Sequence, residues 1–344
     1  MSTHYIGADV DCRTTELVVR RNNKIVLALR VPTTIPALIE ALRRIPSPKI
    51  LAIEEGTTAD WLYRNLRPHV DEMIVCDPRR NRLITDDGDK SNRIDAGKLS
   101  ELLAGGFLRP VYHGATEDSL LLKQWVGLYH DRVRDAVRQV NKVRGRCRMY
   151  GVWPPAGAVS VTKVRDPWVK EMPNQALAAQ LRLLFLGLDV ARQQVVRARQ
   201  EMTRRAKPFE IIQRWQKIPG IGPVRAITFL AYMDTPWRFA NRCKRWKYCG
   251  VGLVRKATGT DKRGRPKPGR LCLELAANRA LKDAMMGGAI SAINQGDNVL
   301  SDLYHRLCAK GVLPSNVRHS VARKIIDKMI AMWKTNQPYE PDLA

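Results

Sequence analysis

Apolar and polar residues alternate in short bursts through the first third of the chain, then change to a helical period. His4 to Val10, Glu16 to Arg20 and Lys24 to Val31 carry the two-residue period of strands, with Arg21-Asn22-Asn23 as a turn. Thr34 to Leu42 repeats its apolar side chains at helical spacing. Lys49 to Glu54 is a short apolar run, the pattern of a buried parallel strand. Thr58 to Leu66 reads as a helix, Glu72 to Cys76 as a strand, and Ile94 to Leu103 as an amphipathic helix closed by Gly105-Gly106. From Ser119 to about Arg148, and again from Asn174 to Arg205, the spacing is that of long helices. Trp153-Pro154-Pro155 and Asp166-Pro167 are expected to interrupt the helical pattern between them. One more helix is expected over Val224 to Met233.

Three strands, helix, strand, helix, strand, helix is the order of an RNase H-like α/β domain, in which neighbouring central strands bring acids together. Another three-layer α/β domain is the alternative. Asp9 ends the first strand, Tyr5-Ile6-Gly7-Ala8-Asp9, and Glu54 ends the run Ile50-Leu51-Ala52-Ile53-Glu54. Asp95 stands at a helix start within Asp89-Lys90-Ser91-Asn92-Arg93-Ile94-Asp95-Ala96. Acids delivered by two strand ends and a helix start suit Mg²⁺, which takes oxygen ligands and is held by few carboxylates against substrate phosphates. Asp9, Glu54 and Asp95 are therefore expected to converge as metal ligands. Asn92 occupies a position where a fourth acid is expected.

Charge narrows the partners. The 344 residues hold 59 Lys and Arg against 33 Asp and Glu, a formal net charge of +26. Such a surface attracts a polyanion, with nucleic acid ahead of an anionic membrane surface. No run of about 18 apolar residues marks a membrane span, and Met1-Ser2-Thr3-His4 leads straight into a strand without a signal-peptide pattern. A cytoplasmic protein is expected. The seven cysteines lack a Cys-x-x-Cys pair and read as reduced thiols, not a zinc site.

The expected domains are 1–113, a helical arm over 114–208, and an all-α unit over 209–344. In the arm, Arg132, Arg134, Arg138, Lys142, Arg144, Arg146 and Arg148 fall among Val133, Val137, Val140 and Val143. So many like charges call for an anion, and Arg138, Lys142 and Arg144 are expected on phosphate. Two such helices around a Pro-containing connection predict an antiparallel coiled-coil hairpin. In the last unit, Lys217-Ile218-Pro219-Gly220-Ile221-Gly222-Pro223 before a helix has the form of a helix-hairpin-helix element. Gly220 and Gly222 would there expose backbone N–H groups to a phosphate. A plain helix-turn-helix connection is the alternative. Arg242, Lys244 and Arg245 follow among Trp237, Trp246 and Tyr248 as a basic, aromatic surface. Then comes a Gly/Pro/Lys/Arg loop holding Arg255, Lys256, Thr258, Lys262 and Arg263. A hydroxyl among these cations could attack a phosphodiester; a phosphate-binding strap is the alternative.

Tyr-Ile-Gly-x-Asp, Ile-Glu-x-Gly, Lys-Ser-x-Arg-Ile-Asp-Ala-x-Lys-Leu, Ile-Pro-Gly-Ile-Gly and Gly-Leu-x-Arg, in that order, resemble insertion-sequence family 110. These are the DEDD transposases, among them the Piv-type invertases. The resemblance implies a RuvC-like domain, a coiled-coil arm and a C-terminal transposase domain supplying a serine nucleophile. It also implies a homo-oligomer, dimer or tetramer, that joins DNAs through covalent intermediates, in many members directed by a structured non-coding guide RNA. Asp9 matches the first acid, Glu54 the second and Asp95 the last. Asn92 sits on the third acid's position, and Thr258-Gly259 is the best match to the family's Ser-Gly. The expected catalytic set is thus Asp9, Glu54, Asn92, Asp95 and Thr258, with Mg²⁺. Two alternatives remain: a repurposed homologue that binds RNA and DNA without recombining, and a Holliday-junction resolvase-like nuclease in which water attacks.

Overall fold

The computed structural model describes residues 2–78, 91–114, 117–256 and 269–341. The chain divides into two compact units, Met1–Ala115 and Thr116–Ala344. The first is built on a five-stranded sheet of β1 (His4–Val10), β2 (Thr14–Arg21), β3 (Lys24–Pro32), β4 (Lys49–Glu54) and β5 (Glu72–Cys76), in the order β3-β2-β1-β4-β5. β1, β2 and β3 pair antiparallel, while β1 with β4 and β4 with β5 pair parallel. Helices α1 (Ile35–Arg43) and α2 (Ala59–Leu66) supply the parallel crossovers, and α3 (Asn92–Ala104) follows β5.

Alternation along the central strands divides the apolar residues between two cores. Ile6, Ala8, Leu51, Ile53, Met73 and Val75 point to α1 and α2, meeting Leu38, Leu42, Leu62 and Leu66. The other face offers Ala52 and Cys76 to Leu99 and Leu103 of α3. Gly7 lies on that second face, and a Cβ added there would overlap the Ala96 carbonyl oxygen and the Ser100 amide nitrogen. A strand glycine here lets a helix backbone lie directly on β1.

The second unit starts with α4 (Glu117–Met149), then α5 (Thr162–Lys170) and α6 (Gln175–Ala206). α4 and α6 are antiparallel. Leu122 and Val126 share a core with Met202 and Ala206, whereas Val143 and Cys147 pack with Leu177, Leu181 and Phe185 near the turn. At 33 residues α4 is roughly 50 Å long. Pro167 lies within α5 instead of ending a helix. The same core that takes the arm's first and last turns includes α7 (Ile211–Trp215), α8 (Pro223–Met233), α10 (Arg279–Gln295), α11 (Val299–Ala309) and α12 (Pro314–Thr335). No separate core therefore begins at residue 209. At its centre the Trp215 ring stands edge-on to Phe229 and Trp333, and its indole N–H donates to the Met329 carbonyl at 2.9 Å.

One expectation is corrected. The C-terminal part is not all-α, because β6 (Leu253–Lys256) and β7 (Arg270–Leu273) pair as an antiparallel ribbon after α9 (Arg242–Tyr248). Basic residues mask the short apolar alternation of Leu253-Val254 and Leu271-Cys272-Leu273, so only pairing reveals the strands. No helix among the described residues is long and apolar enough to cross a membrane.

Candidate functional site

Strand register places the acids. Ala8 pairs with Ile53, so Asp9 and Glu54 emerge side by side at the ends of adjacent parallel strands. Asp9 shares Gly7's face, which is the α3 face. Asp95 arrives in the first turn of α3, whose N-cap Ser91 accepts from the Ile94 N–H at 3.2 Å. The close approach at Gly7 thus brings the start of α3 over the end of β1. The Asp9 carboxyl is pushed up to about 6, by its burial first and then by the charges of Asp95 and Glu54, with Asp11 and Glu16 adding less.

Among the described residues no three His, Cys, Asp or Glu side chains form a ready-made metal cage. Asp9, Glu54 and Asp95 instead share one electrostatic neighbourhood on one face. Such an open arrangement fits Mg²⁺, which keeps several waters and completes its shell with substrate phosphates, and a cation would relieve the repulsion that raises Asp9. Asn92 is exposed at the first position of α3, three residues before Asp95 and therefore its neighbour on the helix surface. Asp87 and Asp89, which could compensate for Asn92, lie outside the described residues.

Two nearby groups escape a reading of the sequence. Glu16 stands directly across from Asp9 in the β1–β2 ladder and is held by Arg30 at 3.4 Å. The hairpin register is the signal that locates it. The His113 side chain is only 3% exposed and lies between two carboxylates, Nδ1 to Asp60 at 2.6 Å and Nε2 to Glu55 at 2.7 Å. Burial pulls its pKa down, but the hydrogen bonds and charges of Asp60 and Glu55 outweigh that and raise it to about 9. At neutral pH His113 is a cation tying Glu55, the residue after Glu54, to α2. No short-range motif announces it.

In the second unit the expected phosphate contacts divide. Gly220 is buried with φ +80°, and an added Cβ would overlap the Gly288 carbonyl of α10. Its glycine requirement is thus met by helix packing. Arg225 fastens the same turn, donating to the Gly220 carbonyl at 2.7 Å and to Ser291 Oγ at 3.0 Å. Gly222 caps α8 with open space beside it, leaving that helix start accessible. Arg242 and Lys244 are exposed, with the Arg242 guanidinium over the Trp246 ring at 5.4 Å. Arg245 instead turns inward: it and the Trp246 indole N–H both donate to Asp327, at 3.5 and 3.1 Å. On α4, Arg138 is exposed and paired with Asp135 at 3.4 Å, while Lys142 and Arg144 are exposed. Arg255 is exposed on β6. Thr258, Lys262, Arg263 and the Lys256 side chain lie outside the described residues, in or beside the segment joining β6 to β7.

A basic helical unit whose ribbon carries a cation-rich connection has the organisation of a DNA-handling module, and comparison with known families gives its class: DNA transposases and recombinases. Residues 212–305, from α7 into α11, match the model of the Transposase IS116/IS110/IS902 family. No curated protein matches the chain.

Proposed function

We propose that the protein is the recombinase of an insertion sequence, with the first unit as a RuvC-like DEDD-type nuclease centre and the second as its transposase domain. The observation that carries this reading is that Asp9 and Glu54 leave adjacent strands beside the first turn of α3, which holds Asp95, and that burial first, and then the charges of Asp95 and Glu54, push the Asp9 carboxyl up to about 6. The strand order β3-β2-β1-β4-β5 supports it, as the arrangement expected of an RNase H-like sheet. Asp9, Glu54 and Asp95 would hold Mg²⁺, which when bound neutralises charge on the scissile phosphate. The Thr258 hydroxyl attacks phosphorus, forming a phosphothreonine link while the displaced strand oxygen takes up a proton. The link conserves the phosphodiester's energy for rejoining. Arg138, Lys142, Arg144, Arg242, Lys244 and Arg255 hold DNA and a structured guide RNA by their phosphates. Leu183, Leu186 and Val190, exposed at three- and four-residue spacing on α6, offer an apolar stripe to a second copy of the chain.

Asn92 and Thr258 favour a second reading, a homologue that binds RNA and DNA without recombining. Denaturing gels of the protein incubated with Mg²⁺ and DNA carrying the element's ends separate the two. Recombination by Thr258 predicts a covalent adduct in the wild type, none with Thr258→Ala, and as much or more with Thr258→Ser, which lacks the crowding methyl. An adduct only in the combined Asn92→Asp, Thr258→Ser protein establishes the repurposed homologue. Strand cleavage by Thr258→Ala means that water attacks. A single defined RNA species co-purifying with the protein supports a guide, and a heterogeneous mixture counts against it.

A further inference from the structure

A cavity of about 610 Å³ opens where the segment after α4 folds back over α4 and α6. Arg144, Arg148 and Arg192 line one part of it, and Trp153, Val140 and Val159 another. No Asp or Glu among the described residues lines it. A neighbouring cavity shows the contrast: there Arg165 is neutralised by Asp189 at 2.8 Å and Asp166 at 3.0 Å. Arg144 and Arg148 are one helical turn apart, with the Arg148 Nε–H donating to the Arg144 carbonyl at 3.3 Å, so both guanidinium groups rise from the same face.

Trp153 is 73% exposed, an unfavourable position for a large ring in the absence of a partner. The segment that presents it is nevertheless built into the fold. The Val152 N–H donates to the Cys147 carbonyl at 3.0 Å, Ala158 is fully buried, and Val152 and Val159 pack on the arm's core. Pro154 and Pro155 follow the ring directly and limit the freedom lost on binding.

An aromatic face with apolar walls beside three unneutralised guanidinium groups matches one ligand chemistry: a flat base joined to a phosphate. We propose that this cavity takes an unpaired nucleotide of a nucleic-acid strand, its base against Trp153 and its phosphates on Arg144, Arg148 and Arg192. Duplex DNA cannot satisfy it, since paired bases keep their faces stacked. The site therefore adds a structure-selective contact to phosphate binding along the arm, and it rests on the proposed handling of nucleic acid by this protein. An unpaired RNA base and an unpaired DNA base share this chemistry, and the probes distinguish them.

Fluorescence anisotropy on the full chain tests the site. The probes are a hairpin oligonucleotide with a short unpaired extension, the same hairpin with abasic residues in the extension, and a fully paired duplex, each in ribo and deoxy form. Trp153→Ala should weaken binding to the unpaired extension about ten- to a hundredfold and duplex binding by less than about twofold. Trp153→Phe, which keeps an aromatic face, should retain most of the affinity. Wild type and Trp153→Ala should bind the abasic hairpin alike. Arg144→Ala with Arg148→Ala should weaken the intact and abasic hairpins together. A preference for the ribo or deoxy hairpin assigns the strand. Equal losses on duplex and extension, or no effect of abasic residues on the wild type, would overturn the proposal. If duplex binding is strong and Trp153→Ala changes nothing, the pocket fails and nucleic-acid handling stands; if no probe binds, both fail.

Discussion

Replacing His113 with Gln removes the cation that ties the end of β4 to α2, and the loss should depend on pH in a defined direction. The imidazole is raised from 6.5 to about 9, because hydrogen bonds to Asp60 and Glu55 outweigh the opposing effect of burial. Two and a half units at 1.36 kcal/mol each come to about 3.4 kcal/mol. The partners are 40% and 35% exposed, and solvent screening reduces this to about 1.5–2 kcal/mol. A basic group raised by folding stabilises fully below its unfolded pKa and loses that contribution as pH rises through its folded value. The His113 contribution is therefore complete below about 6.5 and disappears through about 9.

Hydrogen exchange read by mass spectrometry on peptides spanning β4 and α2 checks this, comparing wild type and His113→Gln at each pH so that intrinsic rates cancel. The two should differ by about 1.5–2 kcal/mol at pH 6.5 and converge near pH 10. A gap of the same size at both ends of that range would refute the ion-pair account and leave only packing. No gap at pH 6.5 would refute the clamp itself. Because Glu55 follows Glu54 directly, the variant should also lose DNA cleavage at neutral pH.

Asp9→Asn should stabilise the chelated protein at neutral pH by about 1 kcal/mol, the screened part of a shift from 3.8 to about 6. Since the folded state raises this acid, its penalty grows as pH rises from 3.8 to 6, so the gain should vanish below about pH 4 in chemical denaturation. Added Mg²⁺ should raise the melting temperature of the wild type and leave Asp9→Asn nearly unchanged; equal shifts in both would exclude Asp9 as a ligand. Gly7→Ala should cost at least about 3 kcal/mol, because the new methyl meets α3 backbone that cannot step aside. Wild-type stability in that variant would mean that α3 does not lie on β1 as described. DNA affinity should fall with salt at a log–log slope of about −0.9 per duplex phosphate neutralised, and a flat response would remove the role assigned to the +26 charge.

Asp9 and Glu54 are legible in the sequence because an apolar strand of fixed period delivers its last residue to a predictable face. Asp95 is legible because the helical spacing of Ile94 to Leu103 puts it at a helix start. His113 is not, since its partners lie 53 and 58 residues away and meet it only once the segment after α3 returns along β5. Gly220 shows the opposite failure: its pattern is plain, but the turn conformation also serves close packing on α10, which only the fold shows. Glu16 depends on hairpin register, where one residue's slip would turn it to the other face.

These residues together say something about the charge of the acidic face. Asn92 contributes no negative charge to it, and Glu16, which does, is held by Arg30. Asp9, Glu54 and Asp95 have no basic partner in an ion pair among the described residues, and the Asp9 carboxyl is raised by its burial first and then by the charges of Asp95 and Glu54. A fold that merely needed to be stable would place a basic residue among them, as it places His113 between Glu55 and Asp60 a few ångströms of chain away. Leaving one acid pair neutralised and the neighbouring group repelling itself is destabilising by itself, and becomes favourable once a cation from solution and a substrate phosphate complete the site.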